Sequence, residues 1–220
     1  MGFPEAYCCV RLAIGFYIQT LAESGRSGTA PGLELHFGVY PGVELDVIAS
    51  LAFNAPTGEG AQRGFGDMQF GIKYALTMES EWVPQMSLVP LLDLATGDAA
   101  RGLGNGGGAG YLGIALQKHW GKLQTYASGG YWINYGPGNR NYGFAGWQVQ
   151  YQFSERWAVG AEIFHMTSTT DGQGASTGFN IGGQCVFDRH NQLLFSAGRG
   201  LQNAAQTNRV SSYVGYQYSF

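Results

Sequence analysis

Hydrophobic and polar residues alternate one by one along much of this sequence. From Ala145 to Phe153, aromatic and aliphatic side chains take every second position, and glycine or glutamine takes each position between them. Successive side chains on a β-strand point to opposite faces, so a period of two residues is typical of strands. The same period recurs in 33–40, 43–53, 66–77 and 177–187. The sequence therefore predicts an all-β fold in which each strand has one apolar face.

The composition indicates what covers those apolar faces. Charged residues make up only 12% of the chain and hydrophobic residues 45%, whereas soluble domains carry about 25% charged residues. No apolar run reaches the roughly 18 residues of a membrane-spanning helix, and a net charge of −3 gives no basic patch for nucleic acid. We expect the apolar faces to contact lipid and the polar faces to enclose a lumen. A soluble all-β protein that buries these faces between two sheets is the alternative.

Twelve alternating segments can be counted, and most approach the ~9–11 residues that a tilted strand needs to cross a bilayer. Their connections alternate between long and short, as in outer-membrane barrels with long outer loops and short periplasmic turns. We therefore predict one closed, antiparallel, up-and-down transmembrane β-barrel over residues 1–220. The predicted strands are 11–21, 33–40, 43–53, 66–77, 82–95, 109–120, 122–134, 143–153, 156–166, 177–187, 192–199 and 210–220. The predicted long connections are 22–32, 54–65, 96–108, 135–142, 167–176 and 200–209, and the short ones are 41–42, 78–81, 121, 154–155 and 188–191.

The start of the chain does not match an export signal. Its apolar stretch has no basic region before it and is interrupted by Arg11. A protein of the bacterial outer membrane, where this barrel is expected, needs such a signal. We therefore expect residues 1–10 to be a disordered or truncated N-terminus.

Aromatic residues gather at the ends of segments beside the short turns. This arrangement is typical of the aromatic girdle at a membrane interface, although aromatic residues also simply favour strands. The last segment alternates up to Phe220, and such an ending is typical of barrels that the barrel-assembly machinery recognises. Outer-membrane lipid and that machinery are therefore the expected partners. The predicted interface aromatics are Trp82, Trp120, Phe153, Trp157, Phe187 and Phe220.

Polar and charged residues on the opposite face are the candidate site. Charges face lipid only at high cost, so we expect them to point inward, together with a series of glutamines. They either form a salt-bridge and hydrogen-bond network that plugs the barrel, which we slightly favour, or line a narrow pathway with a mild cation preference. The lumen-lining candidates are Glu34, His36, Glu44, Asp46, Asp67, Lys73, Asp93, Gln148, Gln150, Gln152, Glu162, Gln184 and Gln217.

No motif indicates catalysis, a cofactor or a metal. The stretch Gly102–Gly107 satisfies G-x-G-x-x-G, but a strand pattern follows it where a dinucleotide site needs a helix, so a flexible outer loop is the better interpretation. The four histidines match no metal spacing. His165 and Ser168 could form the Ser–His pair of a lipid-modifying barrel enzyme, but no local motif supports that role. We therefore predict no enzyme.

Several stretches resemble one known family. They are GFGDMQFGIKYAL (64–76), PLLDLATGDAARGLGNG (90–106), GGYWINYGPGNRN (129–141) and LLFSAGRGLQNA (193–204). They resemble the outer-membrane transporter family named for the meta-pathway of phenol degradation, over roughly residues 33–220. The resemblance implies a barrel linked to uptake of aromatic or other hydrophobic compounds, and no catalytic residues.

Three functions follow from these observations. The first is passive passage of small, hydrophobic or aromatic solutes, as the resemblance implies and as the mixed polar and aromatic lumen suggests. The second is a plugged structural or adhesive barrel whose outer loops carry binding. The third is the lipid-modifying enzyme. The sequence does not identify the solute.

Overall fold

The structure, a computed structural model, describes residues 10–21 and 25–220, without the side chains of residues 19–21. Within this part the chain forms thirteen strands, one short 3₁₀ helix, Ala99–Arg101, and one short helix α1, Ala204–Thr207. The strands are β1 Val10–Leu21, β2 Gly25–Tyr40, β3 Val43–Ala55, β4 Gln62–Phe65, β5 Met68–Thr77, β6 Gln85–Leu94, β7 Ala109–Trp120, β8 Leu123–Asn134, β9 Tyr142–Gln152, β10 Trp157–Met166, β11 Ser176–Val186, β12 Asn191–Gln202 and β13 Val210–Ser219.

The strands close into a barrel. Every ladder is antiparallel, and β1 pairs with β13 in a register that places Gly15 opposite Gly215. Both β5 and β4 pair with β3: β5 lies along Val43–Ile48, and the short strand β4 lies along Leu51–Asn54. The wall therefore has twelve strands, with β4 as an extra piece beyond the end of β5. This confirms the prediction of a closed antiparallel barrel, because β2–β3 pairing completes the circle of the twelve wall strands.

The outside of the barrel is apolar. Along β7, for example, Leu112 is 58% exposed while its neighbour Gly113 and the next residues of the same parity, Ala115 and Gln117, are buried. The alternation in the sequence thus separates an exposed apolar face from a covered inner face. No helix in the described part of the chain is long and apolar enough to cross a membrane.

Two of the predicted long connections are wrong in their bounds. Strand β2 already begins at Gly25, so most of the predicted loop 22–32 is strand, and part of the predicted loop 54–65 is the strand β4. These segments pair through their backbones, Ser27 opposite Asn54 and Ala52 opposite Gly64. Residues 25–32 and 62–65 show no hydrophobic alternation, so this pairing had no signal in the sequence. The strict alternation of long and short connections therefore fails at the first outer connection.

The structure also bears on the predicted turn after β5 and on the predicted start of the chain. The turn after β5 runs over 78–84 instead of 78–81, so Trp82 lies in the turn and not in a strand. The expected disordered or truncated start falls almost entirely on residues 1–9, which lie outside the described residues, whereas Val10 opens β1.

Candidate solute pathway

A cavity of about 570 Å³ lies on the inner side of β8–β13. Gln124 on β8 and Tyr213 on β13 both line it, although four strands, β9 to β12, lie between them around the wall, so the cavity is inside the barrel. A second cavity of about 220 Å³ lies between Lys73 and Tyr126 and shares Gln124, Gln148 and Gln150 with the first. The lumen therefore contains a continuous open space that is bordered by glutamines.

The glutamine amides around this space are free. In the part of the chain that the structure describes, no side-chain hydrogen bond joins Gln124, Gln148, Gln150 or Gln184 to another protein group, and none is an orphaned buried group. Each amide carries two N–H donors and one carbonyl acceptor. The four amides are therefore available to water or to a solute. The expected plugging network, in which glutamines would satisfy the carboxylates, does not form here.

A different arrangement covers the inner side of β1, β2 and β3. Arg11 forms an ion pair with Glu44, which is 6% exposed. His36 Nδ1 lies 2.6 Å from Asp46 Oδ1, and His36 Nε2 lies 3.7 Å from Glu34 Oε2. These five residues form the ionic cluster. The atoms of His36, Glu44 and Asp46 that could bind a metal lie within 4.8 Å of one another, but the ion pair and the hydrogen bond already engage them.

Three more predicted residues lie elsewhere on the inner side. Lys73 is half-buried, lies opposite Glu44 in the β3–β5 register and borders the smaller cavity. Asp93 accepts a 2.7 Å hydrogen bond from Gln69 Nε2. Glu162 accepts a 3.1 Å hydrogen bond from Asn180 Nδ2 and lines the larger cavity. Asp93 and Glu162 thus each accept a hydrogen bond from an amide side chain, away from the ionic cluster.

Asp67, which was predicted to line the lumen, binds the backbone of a loop. Its Oδ1 accepts a hydrogen bond from Gly97 N at 2.8 Å, and its Oδ2 accepts one from Asn105 N at 2.6 Å. One carboxylate therefore holds both ends of the loop 97–105. We refer to this arrangement as the Asp67 clasp.

The clasped loop packs against the inner side of the wall. Leu103 is buried, and a Cβ placed on Gly64 would lie 3.0 Å from Leu103 Cδ1. Arg101 Nε donates to Gln62 Oε1 at 3.0 Å. Gln62 and Gly64 lie opposite residues of β3 that share the face of Glu44. The segment 97–105 therefore folds against the inner side of the wall, and the flexibility of the loop stays a prediction.

Aromatic side chains line the wall on β7, β8 and β9. The ring centroids of Tyr111 and Trp132 are 5.0 Å apart, and those of Trp132 and Tyr142 are 6.0 Å apart and stacked. We refer to these three residues as the aromatic stack. The Tyr111 ring covers Gly113 and Gly130, where an added Cβ would come within 2.6 Å of ring atoms. Since glycine has no side chain, the ring can lie flat on the wall and leave the lumen open.

The remaining glutamine candidates lie outside the larger cavity. Gln152 Nε2 donates to Ser154 O at 2.6 Å, so this side chain caps a turn. Gln217 is buried, opposite Ala13 of β1. Conversely, the structure places Gln117, Gln124 and Asn180 at the cavities, and the sequence prediction omitted them. The parity of β8 from its short turn at Gly121 would have found Gln124.

The predicted interface aromatics are all exposed. Their exposed fractions run from 47% at Trp157 to 85% at Trp82. They lie at or beside the short connections, and Phe220 N donates to Val10 O at 3.0 Å next to the β1–β13 closure. Their position agrees with an interfacial girdle, which stays a prediction.

The pair considered for catalysis is not assembled. His165 Nδ1 lies 2.9 Å from Thr177 Oγ1, while Ser168 Oγ donates to the carbonyl oxygens of Thr170 and Gln173, at 2.9 and 2.5 Å. The Ser168 hydroxyl proton is directed at backbone oxygens, and His165 has another partner. A general base must be within hydrogen-bond reach of its nucleophile.

Two carboxylates in the short turns have shifted pKa values. Burial alone would raise the pKa of Glu79, but hydrogen bonds from His119 and Lys118 outweigh it and lower that pKa below its ordinary value. Hydrogen bonds from His190 N and the Asn191 amide lower the pKa of Asp188. These groups anchor turns at one end of the barrel and do not border either cavity.

Comparison with known proteins agrees with this geometry. A family model described as "Putative MetA-pathway of phenol degradation" matches residues 15–220. No curated protein matches the sequence.

Solved structures resemble the barrel at low sequence identity. A KdgM porin in complex with disordered oligogalacturonate is 12% identical, with a TM-score of 0.65 over 94% of this chain and 99% of that one. A NanC porin is 10% identical, with a TM-score of 0.66 over 96% and 98%. The translocator domain of the autotransporter NalP from Neisseria meningitidis is 11% identical, with a TM-score of 0.63 over 99% and 90%. At these identities the similarity concerns the fold.

Proposed function

The chain belongs to the family of the meta-pathway of phenol degradation, and from this premise we propose that it is a narrow outer-membrane channel giving passive passage to small solutes. The observation that carries the proposal is the open inner space of about 570 Å³ bordered by free glutamine amides. A plugged barrel would engage those amides in internal hydrogen bonds, because buried polar groups are otherwise costly. The porin folds of its structural neighbours support the same function.

The aromatic stack supports passage of solutes with an apolar or aromatic part. Flat rings give such a solute contact area along the wall and cost little conformational entropy, because the rings are already fixed by their neighbours. The resemblance to the family suggested the same class. The inner carboxylates add a mild preference for cations over anions.

The membrane environment is part of the proposal. The apolar exterior fits lipid, and the exposed aromatics beside the short turns fit the interface between lipid and water. The final strand β13, which closes the barrel against β1 and is followed by Phe220, is the segment that the assembly machinery would recognise. We propose no enzymatic activity.

Reconstitution tests the channel. Protein refolded into planar bilayers should give discrete current steps, and liposomes that contain it should swell in isotonic small solutes. A matched preparation of unfolded protein is the control. A folded barrel that neither conducts nor admits any small solute would contradict the proposal and favour the plugged structural barrel.

A further inference from the structure

The larger cavity is lined by polar groups and is distinct from the aromatic stack. Its border combines the free amides of Gln124, Gln148, Gln150 and Gln184 with hydroxyls of Ser196 and Tyr213. Such groups present donors and acceptors together and from several strands around the wall. Sites for small molecules have volumes of ~300–1,000 Å³, and 570 Å³ lies within that range. The cavity therefore suits a solute with many hydrogen-bonding groups of both kinds.

The charge at the cavity narrows the class of solute. No Lys, Arg or His is among the residues that line it, and Glu162 is its charged member. Asn180 Nδ2 donates to Glu162 Oε2, which leaves Oε1 without a partner among the described residues. The nearby cation Lys73 borders the smaller cavity and is not among the residues of the larger one. Within the larger cavity a carboxylated solute therefore has no cation to pair with and meets the Glu162 carboxylate at close range. An uncharged solute meets no such repulsion.

We propose that this cavity is a binding site for uncharged polyhydroxylated molecules, such as neutral sugars or polyols, and that it discriminates against their carboxylated counterparts. The inference rests on the proposed function, since a solute reaches the site by way of the channel. It adds a solute class that the aromatic stack alone does not indicate. A hydroxyl both donates and accepts, so each amide can satisfy it in either orientation.

Direct binding tests the site independently of conduction. Glucose and glucuronate differ by one carboxylate, and their dissociation constants can be measured by ligand-observed NMR on the folded, detergent-solubilised barrel at pH 7. We expect glucose to bind saturably and glucuronate to bind at least about tenfold more weakly. Replacing both Gln148 and Gln150 by Leu should weaken glucose binding about tenfold, because at least one net hydrogen bond is lost.

Two variants separate the site from general effects. Gln206→Leu makes the same chemical change on the exposed face of α1, away from the cavity, and should leave glucose binding unchanged. Glu162→Gln should bring glucuronate binding to within about threefold of glucose. Equal binding of both sugars by the native barrel, or no effect of the paired Leu variant, overturns the inference. An absence of ion current alongside selective glucose binding would contradict the channel and leave the site standing.

Discussion

The two sides of the inner wall use polar residues in opposite ways. On β1–β3 the ionic cluster pairs its groups with one another, as Arg11 does with Glu44 and His36 with Asp46. On β8–β11 the amides of Gln148 and Gln184 face open space without internal partners. A paired group lowers the free energy of the folded barrel, whereas an unpaired accessible group is available to a solute. The difference assigns stability to the first side and, in the proposed channel, contact with the solute to the second.

The largest effect is expected when the ionic cluster is broken. Replacing Arg11 by Met leaves the Glu44 carboxylate buried without its ion-pair partner. The loss should be about 3 kcal/mol of unfolding free energy, measured by urea denaturation of the barrel in lipid vesicles. Arg156→Met, at an exposed turn position, is the matched control and should be close to neutral. If both variants unfold at the same urea concentration, the ionic cluster does not stabilise the barrel.

An intermediate effect is expected at the Asp67 clasp. In Asp67→Ala, the N–H groups of Gly97 and Asn105 lose their acceptor, and the loop should open more often. Two charge-assisted hydrogen bonds contribute about 2 kcal/mol in total, so trypsin should cleave after Arg101 at least about tenfold faster. Asp98→Ala, in the same loop but without a side-chain capping bond, is the control. Equal cleavage rates in all three proteins would show that the clasp does not order the loop.

The smallest effect on stability is expected on the other side of the wall. The Gln184 amide makes no hydrogen bond to a described protein group, so Gln184→Ala should change the unfolding free energy by less than about 0.5 kcal/mol. The same urea experiment measures it beside Arg11→Met. A loss as large as that of Arg11→Met would remove the distinction between the two sides.

The alternation of residues was enough to predict the barrel, because a closed sheet between an apolar outside and a polar inside imposes a period of two on every strand. The same parity placed Gln148, Gln150 and Glu162 on one face, and the structure brings these three to one cavity. Parity alone could not distinguish Gln152, whose amide donates a hydrogen bond within a turn, from the glutamines that border the cavity. That distinction depends on height along the strand and on local hydrogen bonds.

Features that depend on pairing between distant segments could not be predicted from the sequence. Apart from Phe65, the strand β4 and the first half of β2 contain no large apolar side chain, and their backbone ladders with β3 leave no hydrophobic alternation in the sequence. The Asp67 clasp likewise joins positions about 30 to 38 residues apart. A carboxylate that faces inward and one that binds backbone N–H groups look the same in a sequence.

The aromatic rings that pack on glycines have a consequence for the width of the lumen. A Cβ on Gly178 would come within 2.6 Å of Phe164 Cζ, and one on Gly15 within 2.7 Å of Tyr213 Cε2. A single methyl group at either position would tip an aromatic ring toward the axis and constrict the opening. In the proposed channel, the width of the lumen is thus set partly by glycines that lie beneath the aromatic rings, and a substitution there would change which solutes pass without changing any residue that contacts them.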